Sequence, residues 1–215
     1  MHNRLIHAIN RRIAESLEYS GTVVDLGCGS APYRELILAT ADEYVGVDWD
    51  ASQHDRSHVD VTADLTKPLP FKDASADTVV SFQVMEHLPE TGLFLDEIRR
   101  ILRPGGRVFI TVPFMWHVHE APHDYYRFTR HGLEYLFDKH GFEQVNVEAN
   151  TGFWQTFVLK FNYETRRYAR GPLWLLFAPL WLLGQWLAPP LDRLLPRPQE
   201  TASYTVKARV PETAS

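Results

Sequence analysis

The chain has one cysteine, Cys28, in 215 residues, so it cannot form an internal disulfide and cannot build a cysteine-rich zinc centre. It also lacks an excess of positive charge. Twenty-two Lys and Arg stand against 27 Asp and Glu, a formal net charge of −5, so no nucleic-acid partner is expected. With 45% hydrophobic residues, global disorder is excluded. The first twenty residues lack the apolar centre of a signal peptide, because Arg4, Arg11, Arg12, Glu15 and Glu18 interrupt them. A reducing, cytoplasmic setting is the resulting expectation. There are no internal repeats or low-complexity tracts. At roughly 150 residues per domain, the length allows one full domain and an appendage.

What is present is an alternation of strands and helices. Leu5, Ile9, Ile13 and Leu17 recur at steps of four, which predicts a helix over residues 4–19. Thr22 to Leu26 reads as a buried strand, and residues 31–40 as a helix. Short strands follow at Tyr44–Val47 and Val59–Val61, with a fourth at Thr78–Phe82. Leu95, Ile98, Ile101 and Leu102 mark a helix over residues 91–102. Pro104-Gly105-Gly106 then turns the chain into a strand over residues 107–112. Thr129 suits the N-cap of a helix carrying Leu133, Leu136 and Phe137, with Gly141 at its C-terminal end. Glu143–Ala149 and Ser203–Val210 complete seven strands. The pattern predicts an α/β, Rossmann-like, doubly wound and mainly parallel sheet, with the last strand antiparallel. Residues 1–150 and 203–210 are assigned to this domain, and residues 151–200 to an insertion.

The first strand, Val23-Val24-Asp25-Leu26, runs into Gly27-Cys28-Gly29-Ser30-Ala31, a small-residue loop that opens a helix. Glycines there let backbone approach a ligand, and a helix N-terminus favours an anion. Pro32 stands where the dinucleotide fingerprint needs its third glycine, and there is no Walker lysine. Asp48, at the end of the second strand, suits hydrogen bonds to ribose hydroxyls. Cys28 reads as a small packing residue rather than a nucleophile.

In this ordering the sequence resembles the class I S-adenosylmethionine-dependent methyltransferases of the small type 11 kind. Asp25, Gly27, Gly29 and Ala31 match D-x-G-x-G-x-(G/A), and Asp48 matches the ribose-binding acid. Asp64-Leu65 matches the pair flanking adenine. Leu69-Pro70-Phe71 and Ser75 to Val80 resemble the family's run into the fourth strand. Glu86-His87-Leu88 and Glu97 through Gly106 match its next two motifs. The resemblance covers about residues 20–150 and 203–210. It implies S-adenosyl-L-methionine as methyl donor, held by Asp25, Gly27, Cys28, Gly29, Asp48, Trp49, Asp64, Leu65, Phe82, Gln83 and His87. Trp49 is an aromatic suited to adenine, while Phe82 and Gln83 face the donor methyl. Glu86 and His87 stay open between capping the next segment and touching a ligand.

Residues 113–128 leave the C-terminal end of the fifth strand, where open α/β folds place their ligand crevice. Three histidines, two acids, two tyrosines and an arginine crowd this stretch, more than a connector needs. One reading is an acceptor pocket with a histidine as general base. A second is a metal site from His117, His119, Glu120, His123 and Asp124. A third is a lid held by packing. The acceptor pocket is adopted, with His117, His119, His123, Asp124 and Tyr125 as its candidates and no metal assigned. The His-Asp-Tyr-Tyr-Arg-Phe-Thr run resembles one in methyltransferases of bacterial cell-envelope and surface-glycan gene sets.

Pro172 to Leu191 holds no charged residue, with Arg166, Arg167 and Arg170 before it and Arg193 and Arg197 after it. The run approaches the length of a membrane span. A return of Ser203–Val210 to the sheet would leave both its ends on one side of a membrane, which argues against a single crossing. A monotopic helix or hairpin fits better, with Trp174, Trp181 and Trp186 at the lipid interface. Burial against a protein surface, including a second copy of the chain, and an internal lid are the other readings. The adopted expectation is methyl transfer to a small or lipid-linked acceptor (glycan, polyprenyl or quinone-like) by a cytoplasmic protein peripheral on the inner membrane face. Its rival is a non-catalytic scaffold of the same fold, recruited through residues 172–191.

Overall fold

The computed structural model describes residues 4–50, 55 and 57–212. Seven strands form one sheet: β1 (Thr22–Leu26), β2 (Glu43–Asp48), β3 (Val61–Thr62), β4 (Ala76–Phe82), β5 (Leu102–Pro113), β6 (Glu143–Ala149) and β7 (Ser203–Arg209). Their order is β3-β2-β1-β4-β5-β7-β6. The β3–β2, β2–β1, β1–β4 and β4–β5 pairs are parallel, and β7 is antiparallel. The helices are α1 (Arg4–Glu15), α2 (Arg34–Leu38), α3 (Thr91–Ile101), α4 (Arg130–Lys139), α5 (Phe153–Thr165) and α6 (Trp174–Leu194). The order reverses between β1 and β4, the switch point at which α/β sheets place ligands beyond the carboxyl ends of their strands.

The chain divides into two compact units. The sheet unit comprises the described residues within 17–113, 118–148 and 205–215. Strands covered on both faces must be apolar nearly throughout, and Val23, Val24, Leu26, Val79, Val80, Val108 and Ile110 are all buried. Phe94, Leu95, Ile98 and Ile101 of α3 and Leu133 and Phe137 of α4 are buried too. Thr129 Oγ1 accepts the Gly132 N–H at 3.1 Å, capping α4 as its position in the sequence suggests. Gly141 follows α4 with φ +73°, a left-handed conformation that favours glycine.

Three elements differ from the sequence reading. The first helix ends at Glu15 rather than near residue 19, because Leu17 and Tyr19 leave it to pack with Val23 and Phe109. The second starts only at Arg34, since Ala31 takes φ +48° and interrupts the helical path. Pro104-Gly105-Gly106 is not a turn between elements but an irregularity inside β5. Leu102 pairs with Ala76 and Arg107 with Thr78, so the intervening residues bulge. Gly105, at φ +76°, donates its N–H toward the carbonyls of Val210 and Pro211.

The second unit comprises the described residues within 1–16, 114–117 and 149–204. The four-residue repeat of α1 buries Leu5, Ile9 and Ile13 with Val158, Leu159 and Ala188, each of the three α1 side chains worth about 1.5–3 kcal/mol. Asp192 of α6 caps α5, since its carboxylate accepts the N–H groups of Gly152, Trp154 and Gln155 at 2.8–3.1 Å. The run that the sequence left open between helix and loop is helical through Pro179, Pro189 and Pro190. Residues Gly171–Leu194 are long and apolar enough to cross a membrane by length and composition, and only 17% of the most apolar window is buried. Trp181 does not share that exposure. Contrary to its expected place at a lipid interface, it is 3% exposed, and its indole N–H donates to Thr165 Oγ1 at 2.8 Å. Trp174 and Trp186 remain exposed.

Candidate functional site

The carboxyl ends of β1, β2 and β4 carry most of the residues singled out from the sequence. After β1 the chain turns sharply, with Gly27 at φ +78° and Gly29 at φ +53°. A Cβ on Gly27 would stand 2.4 Å from Val84, so the close approach of these segments requires glycine. The N–H groups of Gly27 and Cys28 both donate to the Val47 carbonyl, at 2.8 and 3.0 Å, and fix the loop to the end of β2. Asp48 completes the connection. Its Oδ2 accepts the Gly29 N–H at 3.0 Å and its Oδ1 the Trp49 N–H at 2.8 Å. A carboxylate has about four acceptor sites, so capacity remains for ligand hydroxyls.

Asp25 lies beneath this loop. Tyr44 donates its hydroxyl to Asp25 Oδ2 at 2.7 Å, while the buried Oδ1 has no hydrogen-bond partner among the described residues. Burial pushes the Asp25 carboxyl up to about 7, against the Tyr44 hydrogen bond and with the charge of Asp48 adding to it. Burial likewise pushes the Cys28 thiol up to about 12, so it stays protonated and packs. Asp64 is held well down, at about 2, by hydrogen bonds from the Thr66 hydroxyl and N–H and from Lys67. Leu65 beside it is buried.

At the end of β4, Phe82 packs on Tyr33 with ring centroids 4.9 Å apart. Gln83 takes φ +58°, and its side-chain amide donates to Thr111 Oγ1 at 3.0 Å. A short 3-10 turn, Met85–His87, follows. The histidine-rich loop folds back onto this turn. The N–H groups of Tyr125 and Tyr126 donate to the Glu86 carbonyl at 2.9 and 3.3 Å, and the Tyr126 hydroxyl to the Pro89 carbonyl at 2.8 Å. His87 Nδ1 meets the His123 carbonyl at 2.7 Å. The His123 ring lies edge-on to Trp49 at 5.9 Å and within 3.4 Å of the Tyr125 hydroxyl.

Four of the five acceptor-side candidates therefore gather in the sheet unit. His119, His123 and Tyr125 line the segment beside Glu86 and His87. Asp124 anchors the loop, for its side chain is 1% exposed and both its oxygens accept from Arg127, at 2.6 and 2.7 Å. These bonds hold its carboxyl well below the usual carboxylate range. His117 belongs to the other unit, packed 4.0 Å from the Tyr163 ring and beside Trp116.

Glu86 stands outside the candidate set drawn from sequence. Its side chain is fully buried, and neither carboxylate oxygen has a hydrogen-bond partner among the described residues. Burial pushes its carboxyl up to about 8. The signal in the sequence was its place, directly before His87 at the end of a parallel strand.

The strand order, the antiparallel β7 and the glycine loop after β1 define the fold of class I methyltransferases. Residues 24–110 match the model of the family described as methyltransferase domain. A probable S-adenosylmethionine-dependent methyltransferase of Mycolicibacterium smegmatis is 38% identical over 96 residues, covering 42% of this chain and 37% of the relative. The match thus spans little more than a third of that relative's length. Among solved structures, a methyltransferase from Archaeoglobus fulgidus superposes with a TM-score of 0.64 at 16% identity, covering 96% of this chain and 94% of the other. Phosphoethanolamine N-methyltransferase 2 of Haemonchus contortus, in complex with S-adenosyl-L-methionine, gives 0.60 at 20% identity, with 97% of this chain and 52% of the other covered.

Proposed function

We propose that this protein transfers a methyl group from S-adenosylmethionine to a small or lipid-linked acceptor. The observation that carries the reading is the junction of Gly29 and Asp48, where a strand-end acid and a glycine loop are locked together at the switch point of the sheet. The relatives' names and the family match support the same cofactor.

The residues present fit such a cofactor. Gly27 and Gly29 keep the loop free of side chains where backbone must approach it. Asp48 retains acceptor capacity for ribose hydroxyls, and Trp49, 41% exposed, offers an aromatic face for adenine. Asp64 with Leu65 would serve the adenine side, and Phe82, Gln83 and His87 the methyl side. The cofactor supplies an already activated methyl on a sulfonium, so positioning accounts for much of the rate. For a hydroxyl acceptor, His119 or His123 would take the proton.

Membrane contact through α6 is part of this reading. Leu175, Leu176, Leu183 and Trp186 are each more than half exposed, a larger apolar surface than a water-facing helix tolerates. Arg166, Arg167 and Arg170, with Tyr163 and Glu164, line a surface recess beside this run, where anionic headgroups would be favoured. A lipid-linked acceptor is part of the same proposal. The cofactor reading is tested by thermal unfolding with and without S-adenosylhomocysteine. A saturable rise in melting temperature supports it, and its absence in a folded sample removes it.

A further inference from the structure

We propose that Glu86, His87 and His119 form a binding site for a divalent transition-metal ion of the zinc class. One ligand atom from each residue lies within 4.8 Å of the others. Two histidines and a carboxylate are a donor set that binds zinc and related ions while leaving positions open for an oxygen ligand.

The strongest sign is Glu86. A carboxylate with no exposed surface and no hydrogen-bond partner on either oxygen among the described residues bears a large desolvation cost, and buried polar groups in folded proteins are otherwise satisfied. Arg127, the nearby cation, is committed to Asp124 through two hydrogen bonds. A bound cation would offset the cost at Glu86 directly.

His87 is oriented for ligation. A carbonyl can only accept, so the 2.7 Å contact to the His123 carbonyl places the proton of His87 on Nδ1. Nε2 then carries the lone pair, and it faces Glu86 Oε1 at 3.7 Å and Glu120 Oε2 at 3.8 Å. Ligands around a tetrahedral zinc ion sit ~3.3 Å apart, so small side-chain shifts would close the set. His119 Nδ1 lies 3.3 Å from both Asp124 Oδ2 and Arg127 Nη2, so ligation through Nε2 requires the Nδ1 proton to turn to Asp124 in place of the Arg127 contact. Its ring centroid is 5.0 Å from that of His87. Glu120 stands at the rim, positioned to take part or to hold a metal-bound water.

An ion here would bind an oxygen of the acceptor and favour its ionised form. That role rests on the methyltransferase reading, whereas the site itself does not.

The test uses full-length, tag-free protein stripped with a chelator and titrated with zinc sulfate by calorimetry, alongside Glu86→Gln, His119→Ala and a control, His131→Ala. One saturable zinc per chain is expected, weakened at least ~10-fold in Glu86→Gln and His119→Ala and unchanged in the control. Near-UV circular dichroism confirms that each variant is folded. Should a variant not fold, cobalt(II) added to the wild type decides, and a visible ligand-field spectrum of nitrogen and oxygen donors is expected. No saturable zinc binding and no cobalt spectrum, or undiminished binding in both folded variants, would overturn the site. A parallel titration of the wild type with S-adenosylhomocysteine separates the two readings. Cofactor binding without zinc binding rejects the metal site alone, and zinc without cofactor rejects the methyltransferase reading alone.

Discussion

Asp48 Oδ2 accepts the backbone N–H of Gly29 at 3.0 Å, which joins the ends of the first two strands through one carboxylate. The same side chain thus shapes the glycine loop and offers the ribose contact. Loss of Asp48 should therefore act on ligand affinity more than on the sheet, whose apolar strands are buried independently of it.

Asp25 should make stability depend on pH in a defined window. Its folded-state carboxyl stands at about 7, above the ordinary 3.8, chiefly through burial. Between about pH 4 and pH 7 the folded state then binds more protons than the unfolded one, so this group's contribution is full below pH 4 and is lost as pH rises through 7. Denaturant unfolding across this range, wild type minus Asp25→Asn, should show that slope. A difference that is flat between pH 4 and 7 would contradict it. Tyr44→Phe removes the donor to Asp25 and should cost about 1–3 kcal/mol.

The Asp124–Arg127 pair should behave as a structural anchor. Asp124→Asn removes the negative charge that Arg127 pairs with, and breaking a buried ion pair costs about 3–5 kcal/mol, the upper end needing full burial. Arg127 is 23% exposed, so the lower end is expected. A double-mutant cycle with Arg127→Met should show strong non-additivity in unfolding free energy. Independent effects of the two substitutions would contradict the anchor.

Two tryptophans of α6 should separate packing from surface function. Trp181→Ala empties a buried site and should cost about 3–5 kcal/mol. Trp186→Ala, at a position 75% exposed, should leave stability within about 0.5 kcal/mol while lowering co-sedimentation with anionic liposomes. Equal liposome binding by wild type and Trp186→Ala would remove this residue from any membrane contact.

The sheet was legible because its information is local. Apolar runs such as Val23 to Leu26, the step-of-four stripe of α1 and the Thr129 cap announce themselves within a few residues. What was not legible depends on distant partners. The early end of α1 follows from Leu17 and Tyr19 meeting Phe109, roughly ninety residues away in sequence. Pro179 and the Pro189-Pro190 pair weaken a helical signal, yet tertiary context overrides that local preference in α6. The burial of Trp181 and of Glu86 likewise depends on what packs over them. His117 and His119 lie two residues apart and belong to different units, a separation that spacing alone cannot show.

The most direct measurement is calorimetric titration of S-adenosylhomocysteine into wild type and Asp48→Ala, both verified as folded. A charge-assisted hydrogen bond contributes about 1.5–3 kcal/mol, so the expected result is saturable one-to-one binding to wild type and ~10–100-fold weaker binding to the variant. Full affinity in Asp48→Ala, or no binding to folded wild type, would contradict the account.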